Sequence, residues 1–245
     1  MATQYDQIAD LYAAISDAIF LLRAHVEQPT FFKVLGSIAG QSILDVACGT
    51  GMYSRLLKQR GAARVVAVDI APEMIAVAQG LEERTPLGVE YLTYDVAEMP
   101  ALGSFDVVTA VYLLHYAQSK EHLGRMCRGI YQNLKPSGRF VTGVSNSEFN
   151  PAGPNYAKYG FTLSRRVDAP EGSTVALVFL IEPPVMIHTK YWTHATYEGA
   201  LAAGGFRTIV WERLQPSPEA EAQYGREFWA DYLRNPPSLL LHCEK

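Results

Sequence analysis

Three things are scarce in this 245-residue chain, and each scarcity removes a class of function. Cysteine is the first: Cys48, Cys127 and Cys243 are scattered, odd in number and form no C-x-x-C pair. Neither a metal site nor a disulfide framework is expected, and each thiol reads as a small buried hydrophobe. Clustered basic charge is the second. Lys and Arg number 21 against 25 Asp and Glu, for a net charge of -4, and no Lys/Arg run makes a basic patch. A nucleic-acid partner is therefore not expected. The third is length of apolar sequence: no run approaches the roughly 20 residues that span a bilayer. The N-terminus also lacks the basic-then-apolar layout of a secretory signal. No membrane partner is expected, and the expected compartment is the cytoplasm.

What is present is ordinary globular composition, 49% apolar and 19% charged, with ample material for a core. From residue 42, short β-branched runs alternate with amphipathic stretches. SILDVA (42–47), RVVAVDI (64–70), VEYLTYDV (89–96), FDVVTAVYLL (105–114) and RFVTGVS (139–145) read as strands. MYSRLLKQRGA, PEMIAVAQGLEER and HLGRMCRGIYQNL read as helices between them, the last closed by a KPSG turn. This alternation predicts an α/β fold, a parallel sheet with helices on both faces, and ligands beyond the strands' carboxyl ends.

Residues 147–193 break the rhythm. An Asn/Pro/Gly-rich stretch precedes TVALVFLIEPPVMIHTKYW, two strands around a Glu-Pro-Pro turn. The reading is a β-rich substrate cap inserted over the ligand edge of a single domain, 1–245. THATYEGALAAGGF resembles a helix capped at Thr193 or Thr196, and RTIVWERL and SLLLHCE the last two strands. At the other end YDQIADLY places Tyr5 and Tyr12 in the first turns of a helix, within an N-terminal segment 1–35.

LDVACGTG (44–51) carries the chemistry. Gly49 and Gly51 follow a strand and precede a helix, so backbone can approach a ligand closely. Asp69 closes the next strand, where an acid commonly takes ribose hydroxyls. A dinucleotide fingerprint wants a third glycine, and Ser54 stands there. Asp45, just before the glycines, would repel a pyrophosphate but suits a ligand with positive charge, such as the ammonium and sulfonium of S-adenosylmethionine. NAD is disfavoured on both counts.

These residues resemble the class I S-adenosylmethionine-dependent methyltransferases over nearly the whole chain. The matches are LDVACGTG, VVAVDI, YLTYDV, FDVVTAVYLLHYA and LKPSGRFV, in the expected order, with Ala47 replacing the first loop glycine. The resemblance implies a Rossmann-like, mostly parallel seven-stranded sheet with its last strand antiparallel. It implies S-adenosylmethionine as cofactor and S-adenosylhomocysteine as product. Asp69 would bind the ribose, Ile70, Met74 and Val96 would sandwich the adenine, and Asp95 would accept its amino group. The backbones of Gly49 and Ala110 would hold the methionine ammonium. Tyr5 would close over the methionine end, with Tyr12 behind it, making 1–35 a helical lid. YDQIADLY, RGAARVVAVDI and KYG are further similar to toxoflavin-type N-methyltransferases of natural-product pathways.

Methyl transfer needs an acceptor held against an already activated carbon, and positioning supplies much of the rate. A small planar aromatic or heterocyclic acceptor is expected, N-methylated by preference and O-methylated next. The alternative is a protein that binds the cofactor without transferring methyl, a pericyclase-like catalyst or a regulatory module. Tyr112-Leu113-Leu114-His115 offers none of the carboxylates a metal-dependent catechol enzyme needs, and NPPS (235–238) precedes the last strand, on the wrong loop for an amino-methyltransferase motif. Tyr5 and His115 are the candidate catalytic residues, His115 as a base with a pKa near neutral or else a helix-start residue facing solvent or bonding backbone. Tyr116, Tyr156, Tyr159, Trp192 and His194 are the candidate acceptor contacts. Packing is the competing role for Trp192, and a polar place beside a helix cap for His194. The assembly is open between monomer and homodimer.

Overall fold

In the structure, a computed structural model describing residues 3–165 and 167–245, one sheet organises the chain. Met1 and Ala2 of the expected lid lie outside the described residues. The first five strands are β1 (Ser42–Val46), β2 (Arg64–Asp69), β3 (Val89–Thr93), β4 (Phe105–Val111) and β5 (Leu134–Ser145). With β9 (Arg207–Arg213) and β10 (Ser238–Glu244) they form a seven-stranded sheet in the order β3-β2-β1-β4-β5-β10-β9. β1 pairs in parallel with β2 and β4, so strand order reverses between β1 and β4, while β10 runs antiparallel to β5 and β9. The expected sheet, including its antiparallel last strand, is the one observed.

The strands form because they are covered on both faces. Ile43, Leu44 and Val46 of β1 and Val65 to Val68 of β2 are fully buried, each large apolar side chain stabilising by about 1.5–3 kcal/mol. Helices α4 (Met52–Gln59), α5 (Pro72–Arg84) and α6 (Lys120–Gln132) supply the cover, with α7 (His194–Gly204) against α6. Their starts follow capping chemistry. Ser119 Oγ accepts from His122 N at the head of α6, and Thr193 Oγ1 from Thr196 N at the head of α7.

Three boundaries differ from the sequence reading. KPSG is no turn closing α6: β5 runs through it, with a register shift against β4 and Gly138 fitted tightly against the Lys135 and Phe105 carbonyls. β4 stops at Val111 because Tyr112 takes a left-handed φ of 72°, and a 3-10 turn, Leu114–Tyr116, follows. Tyr5 precedes the first helices, α1 (Tyr12–Ala18) and the short α2 (Phe20–Leu22), in turns fastened by Thr3 and Asp6. A π-helical turn, Arg23–Glu27, then leads into α3 (Gln28–Leu35).

A second sheet, β6 (Phe161–Ser164), β7 (Thr174–Phe179) and β8 (Val185–Lys190), is antiparallel throughout. It packs against two helices that the sequence reading missed, α8 (Pro218–Tyr224) and α9 (Arg226–Arg234). Ser217-Pro218-Glu219 is a helix-start signature, and Ser217 Oγ does accept from Ala220 N. Phe228, Trp229, Tyr232 and Leu233 have helical apolar spacing.

Candidate functional site

At the carboxyl ends of β1, β2 and β4 lies a cavity of about 590 Å³. Its first end is built by the short loops after β1, β2 and β3: Ala47, Gly49, Asp69, Ile70, Asp95 and Val96 all line it. Asp69 is fixed by backbone, Oδ2 accepting from Gly49 N at 2.8 Å and Oδ1 from Ala71 N at 2.9 Å. Burial pushes its pKa up against those amide bonds. Each oxygen keeps a further lone pair for a ligand hydroxyl. Asp95 uses Oδ1 on Ala97 N at 2.8 Å. Ile70 is 48% exposed, an apolar surface at a strand end that a flat ring would cover.

Four of the expected cofactor residues do not line this main cavity. Met74 is fully buried with Ile75 and Ala78 on the inner face of α5, so it does not reach the cavity. Ala110 lies inside the sheet and its carbonyl accepts from Thr142 Oγ1 at 2.7 Å; the cavity wall is made by Val111 and Tyr112 beyond it. Gly51 caps α4 at a φ of 82° with Tyr91 packed where a side chain would go, which makes its task the turn itself. Asp45 is buried behind the glycine turn, accepting from Ser54 Oγ at 2.6 Å and Thr109 Oγ1 at 2.7 Å. Burial outweighs these bonds and raises its pKa to about 6. Ser54, standing where a dinucleotide motif has glycine, thus has a specific duty.

Asp45 lines a small annex of about 40 Å³ with Arg23, Tyr53 and Tyr12. Arg23 and Tyr53 were not foreseen. Arg23 Nη1 donates to Ser16 Oγ at 3.0 Å, but Nε, like the Tyr53 hydroxyl, is buried without a partner. Two orphaned donors in one annex call for an anion. A methionine carboxylate meets that demand, the carboxylate of Asp45 suits an ammonium, and Asp69 and Asp95 suit ribose and adenine. The residues present therefore fit S-adenosylmethionine.

Midway along the cavity the aromatic residues meet. Tyr5 and Tyr116 are hydrogen-bonded through their hydroxyls. The Tyr5 ring stands edge-on to Tyr116 at 5.7 Å and to Tyr12 at 6.4 Å. Tyr12 lies across the glycine turn, its hydroxyl 3.7 Å from where a Gly49 side chain would begin. Gln4 clasps β8, donating to His188 O at 3.0 Å and accepting from His188 N at 2.9 Å. His115 sits 4.6 Å from the Tyr116 ring, and its Nδ1 has no partner. Burial drives its pKa down to about 3, which corrects the expectation of a base poised near neutral: the imidazole is uncharged and weakly basic.

The far end is walled by Phe161, Leu163, Leu177, Phe179 and Ile187 of the second sheet, facing Ile15, Ile19 and Leu22. Tyr156, Tyr159, Trp192 and His194, expected to touch an acceptor, do not line it. Tyr159 stacks on Trp229 and donates to Phe228 O at 2.7 Å; Tyr156 stacks on Phe161 and bonds Asn235 O. Trp192 donates to Ala117 O at 3.3 Å, and His194 packs on Trp211 at 4.1 Å. The unforeseen α9 and the turn after it make Tyr156 and Tyr159 core, while Ala117 and Trp211 engage Trp192 and His194. Glu27, Tyr112, Tyr232, Pro237 and Ser238, none singled out in sequence as acceptor contacts, complete the wall.

A sheet of this order, with a glycine turn after β1 and an acid closing β2, defines the class I S-adenosylmethionine-dependent methyltransferase fold. Comparison agrees: residues 43–138 match the family model described as a methyltransferase domain. A ubiquinone biosynthesis O-methyltransferase of Xanthomonas oryzae pv. oryzae is 35% identical over 113 residues, 44% of this chain and 45% of that protein. The chain spans about half the length of the curated relatives it matches. Among solved structures, an S-adenosylmethionine-dependent methyltransferase of Mesorhizobium loti is 25% identical, with a TM-score of 0.68 over 89% of this chain and 97% of that one. The DhpI–SAM–HEP complex shares the fold at 18% identity, with a TM-score of 0.65 over 98% and 94%. Together these findings show the class I S-adenosylmethionine-dependent methyltransferase fold, with residues 43–138 similar to a methyltransferase domain.

Proposed function

We propose that the protein transfers a methyl group from S-adenosylmethionine to a small, largely apolar acceptor enclosed between the N-terminal segment and the second sheet. The observation that carries this reading is the continuity of the cavity. It runs from the acids and glycine turn that suit the cofactor, past the Tyr5–Tyr116–His115 cluster, to the apolar wall of Phe161 and Phe179. When bound, the cofactor supplies a methyl group already activated by a sulfonium. Asp69 and Asp95 orient its nucleoside; Arg23, Tyr53 and Asp45 hold the amino-acid end.

The chain's contribution to the reaction is positioning and exclusion of water. Residues 1–35 act as the lid and 147–193 as the cap. Tyr5, tied to Tyr116, closes the middle of the cavity. His115 serves as a neutral wall and hydrogen-bonding group rather than a base, which suits an acceptor that attacks through a nitrogen lone pair and makes an acidic oxygen second choice. A flat ring suits the Phe161 and Phe179 faces. Turnover of methyl-labelled S-adenosylmethionine against a panel of heterocycles, amines and phenols tests the reading. Calorimetry provides the prior step: S-adenosylhomocysteine should bind, and tight binding of NADH in its place would overturn the assignment.

A further inference from the structure

Two departures from regular backbone, far apart in sequence, converge on one wall of the cavity. One is the π-helical turn Arg23–Glu27, a rare geometry frequently found at functional sites. The other is Tyr112, a bulky residue held at a left-handed φ of 72° immediately after β4. Gly143 makes room for its ring, which stands 3.3 Å from where a side chain there would begin. The outcome of both is a single contact: Tyr112 Oη donates to Glu27 Oε2 at 3.0 Å, with Ser238 Oγ 3.2 Å from the same hydroxyl.

Glu27 is only 6% exposed, yet it lines the cavity where the apolar wall begins. Among the described residues Tyr112 is its one hydrogen-bond donor, and no ion pair joins it to Arg23. Burial pushes the Glu27 carboxyl's pKa up, and the Arg23 guanidinium and the Tyr112 hydrogen bond partly offset that burial. On the proposed reading, the guanidinium's part is withdrawn when Arg23 takes the cofactor's carboxylate. A buried carboxylate would then be left with one phenol for company, a costly state unless the second ligand brings a cation or N–H donor.

We propose that Glu27, oriented by Tyr112 with Ser238 behind it, recognises the acceptor by taking its amine or N–H end, while the acceptor's apolar body lies along Phe161, Leu177 and Phe179. This rests on the cofactor reading above and specifies the chemistry of the second ligand: an amine-bearing small molecule with an apolar body. Glu27 acts here as a specificity residue, and the proposal assigns it no proton transfer.

Matched probes test it. With the wild-type protein saturated in S-adenosylhomocysteine, 2-phenylethylamine, 2-phenylethanol and phenylacetate are titrated by calorimetry. The amine should bind at least roughly tenfold more tightly than the alcohol, with phenylacetate weakest. Glu27→Gln should bring amine and alcohol near parity while still binding S-adenosylhomocysteine, and Tyr112→Phe should shrink the amine's advantage without abolishing it. An amine that binds no better than the alcohol, or a preference unchanged in Glu27→Gln, would overturn the proposal, as would failure of the wild type to bind any probe at millimolar concentration. If Glu27→Gln fails to fold, the wild-type ranking and Tyr112→Phe still decide. Failure of S-adenosylhomocysteine to bind at the outset is a separate result: it overturns the cofactor reading, and the proposal with it.

Discussion

The two ends of the cavity are built by different means. At the cofactor end, Ala47 to Gly51, Asp69 to Ala71 and Asp95 to Ala97 are short loops after adjacent parallel strands, and their geometry is fixed by backbone amides bonding Asp69 and Asp95. At the acceptor end no element is complete alone. The wall is assembled from the first helices, the second sheet and Tyr232 to Ser238, held together by packing of rings. A site made of hydrogen-bonded loops tolerates changes in the distant core, whereas one made of packed surfaces does not. That difference can be broken experimentally.

The largest effect is expected in the packed region. Tyr159 is fully buried between Trp229 and Tyr232. Tyr159→Ala should cost about 3–5 kcal/mol of stability, read as a fall in the midpoint of thermal or denaturant unfolding. S-adenosylhomocysteine affinity of the folded fraction should be nearly unchanged, because Asp69 and Asp95 are held by amides of their own short loops. An equal loss of affinity would show that the two ends are one mechanical unit.

His115 sits where the ends meet, and its effect depends on pH. Its folded pKa, about 3, lies below the ordinary value of 6.5. The unfolded chain therefore binds the proton first as pH falls. The histidine's contribution to stability is full above about pH 6.5 and is lost as pH drops toward 3, at a slope of up to about 1.4 kcal/mol per pH unit. Comparison of wild type with His115→Asn isolates this slope, since Asp45, whose raised pKa of about 6 acts in the opposite sense, is common to both. Between pH 6.5 and 9 the two stability curves should run parallel, and turnover should show no ionisation assignable to His115.

This contrast also explains what was legible in the sequence. The cofactor end is written locally: a β-branched run, a glycine turn and a strand-closing acid are contiguous, so LDVACGTG and Asp69 announce strand order and ligand class together. Where the sequence reading and the cavity lining part, at Met74 and Ala110, the elements are correctly placed and the side chain or backbone faces away from the cavity. The acceptor end is written non-locally. Whether Tyr156 and Tyr159 face a ligand or a core depends on α9, which arrives some 70 residues later, and composition alone cannot tell an aromatic wall from an aromatic core. Glu27 and Tyr112 were hidden for another reason: a π turn and a left-handed tyrosine are tertiary outcomes that propensity does not anticipate.

A smaller effect is expected from Asp69→Ala. The substitution removes the acceptor for Gly49 N and Ala71 N as well as the proposed ribose contact, so the glycine turn loosens where the cofactor would lie. S-adenosylhomocysteine affinity should fall at least roughly tenfold, about 1.4 kcal/mol. Global stability should change less than in Tyr159→Ala. Unchanged affinity by calorimetry would remove Asp69 from the site.

The smallest effect separates two uses of the N-terminal tyrosine. Tyr5 makes a hydroxyl–hydroxyl bond to Tyr116 and ring contacts to Tyr116 and Tyr12. Both hydroxyls are buried, and burial raises both pKa values, so the pair is neutral throughout the physiological range. Tyr5→Phe deletes the bond but keeps the ring, at an expected cost of about 0.5–1.5 kcal/mol. Tyr5→Ala removes the ring as well and opens the cavity between Tyr116 and Tyr12. If the lid works as an aromatic cover, Tyr5→Phe should retain most turnover, and Tyr5→Ala should speed S-adenosylhomocysteine release, measured by stopped-flow fluorescence. If the hydroxyl itself touches the reacting groups, Tyr5→Phe should lose as much turnover as Tyr5→Ala with no change in the release rate. The first outcome is expected, because the Tyr5 hydroxyl is already committed to Tyr116, while Gln4 holds the neighbouring backbone to β8 whichever residue stands at position 5.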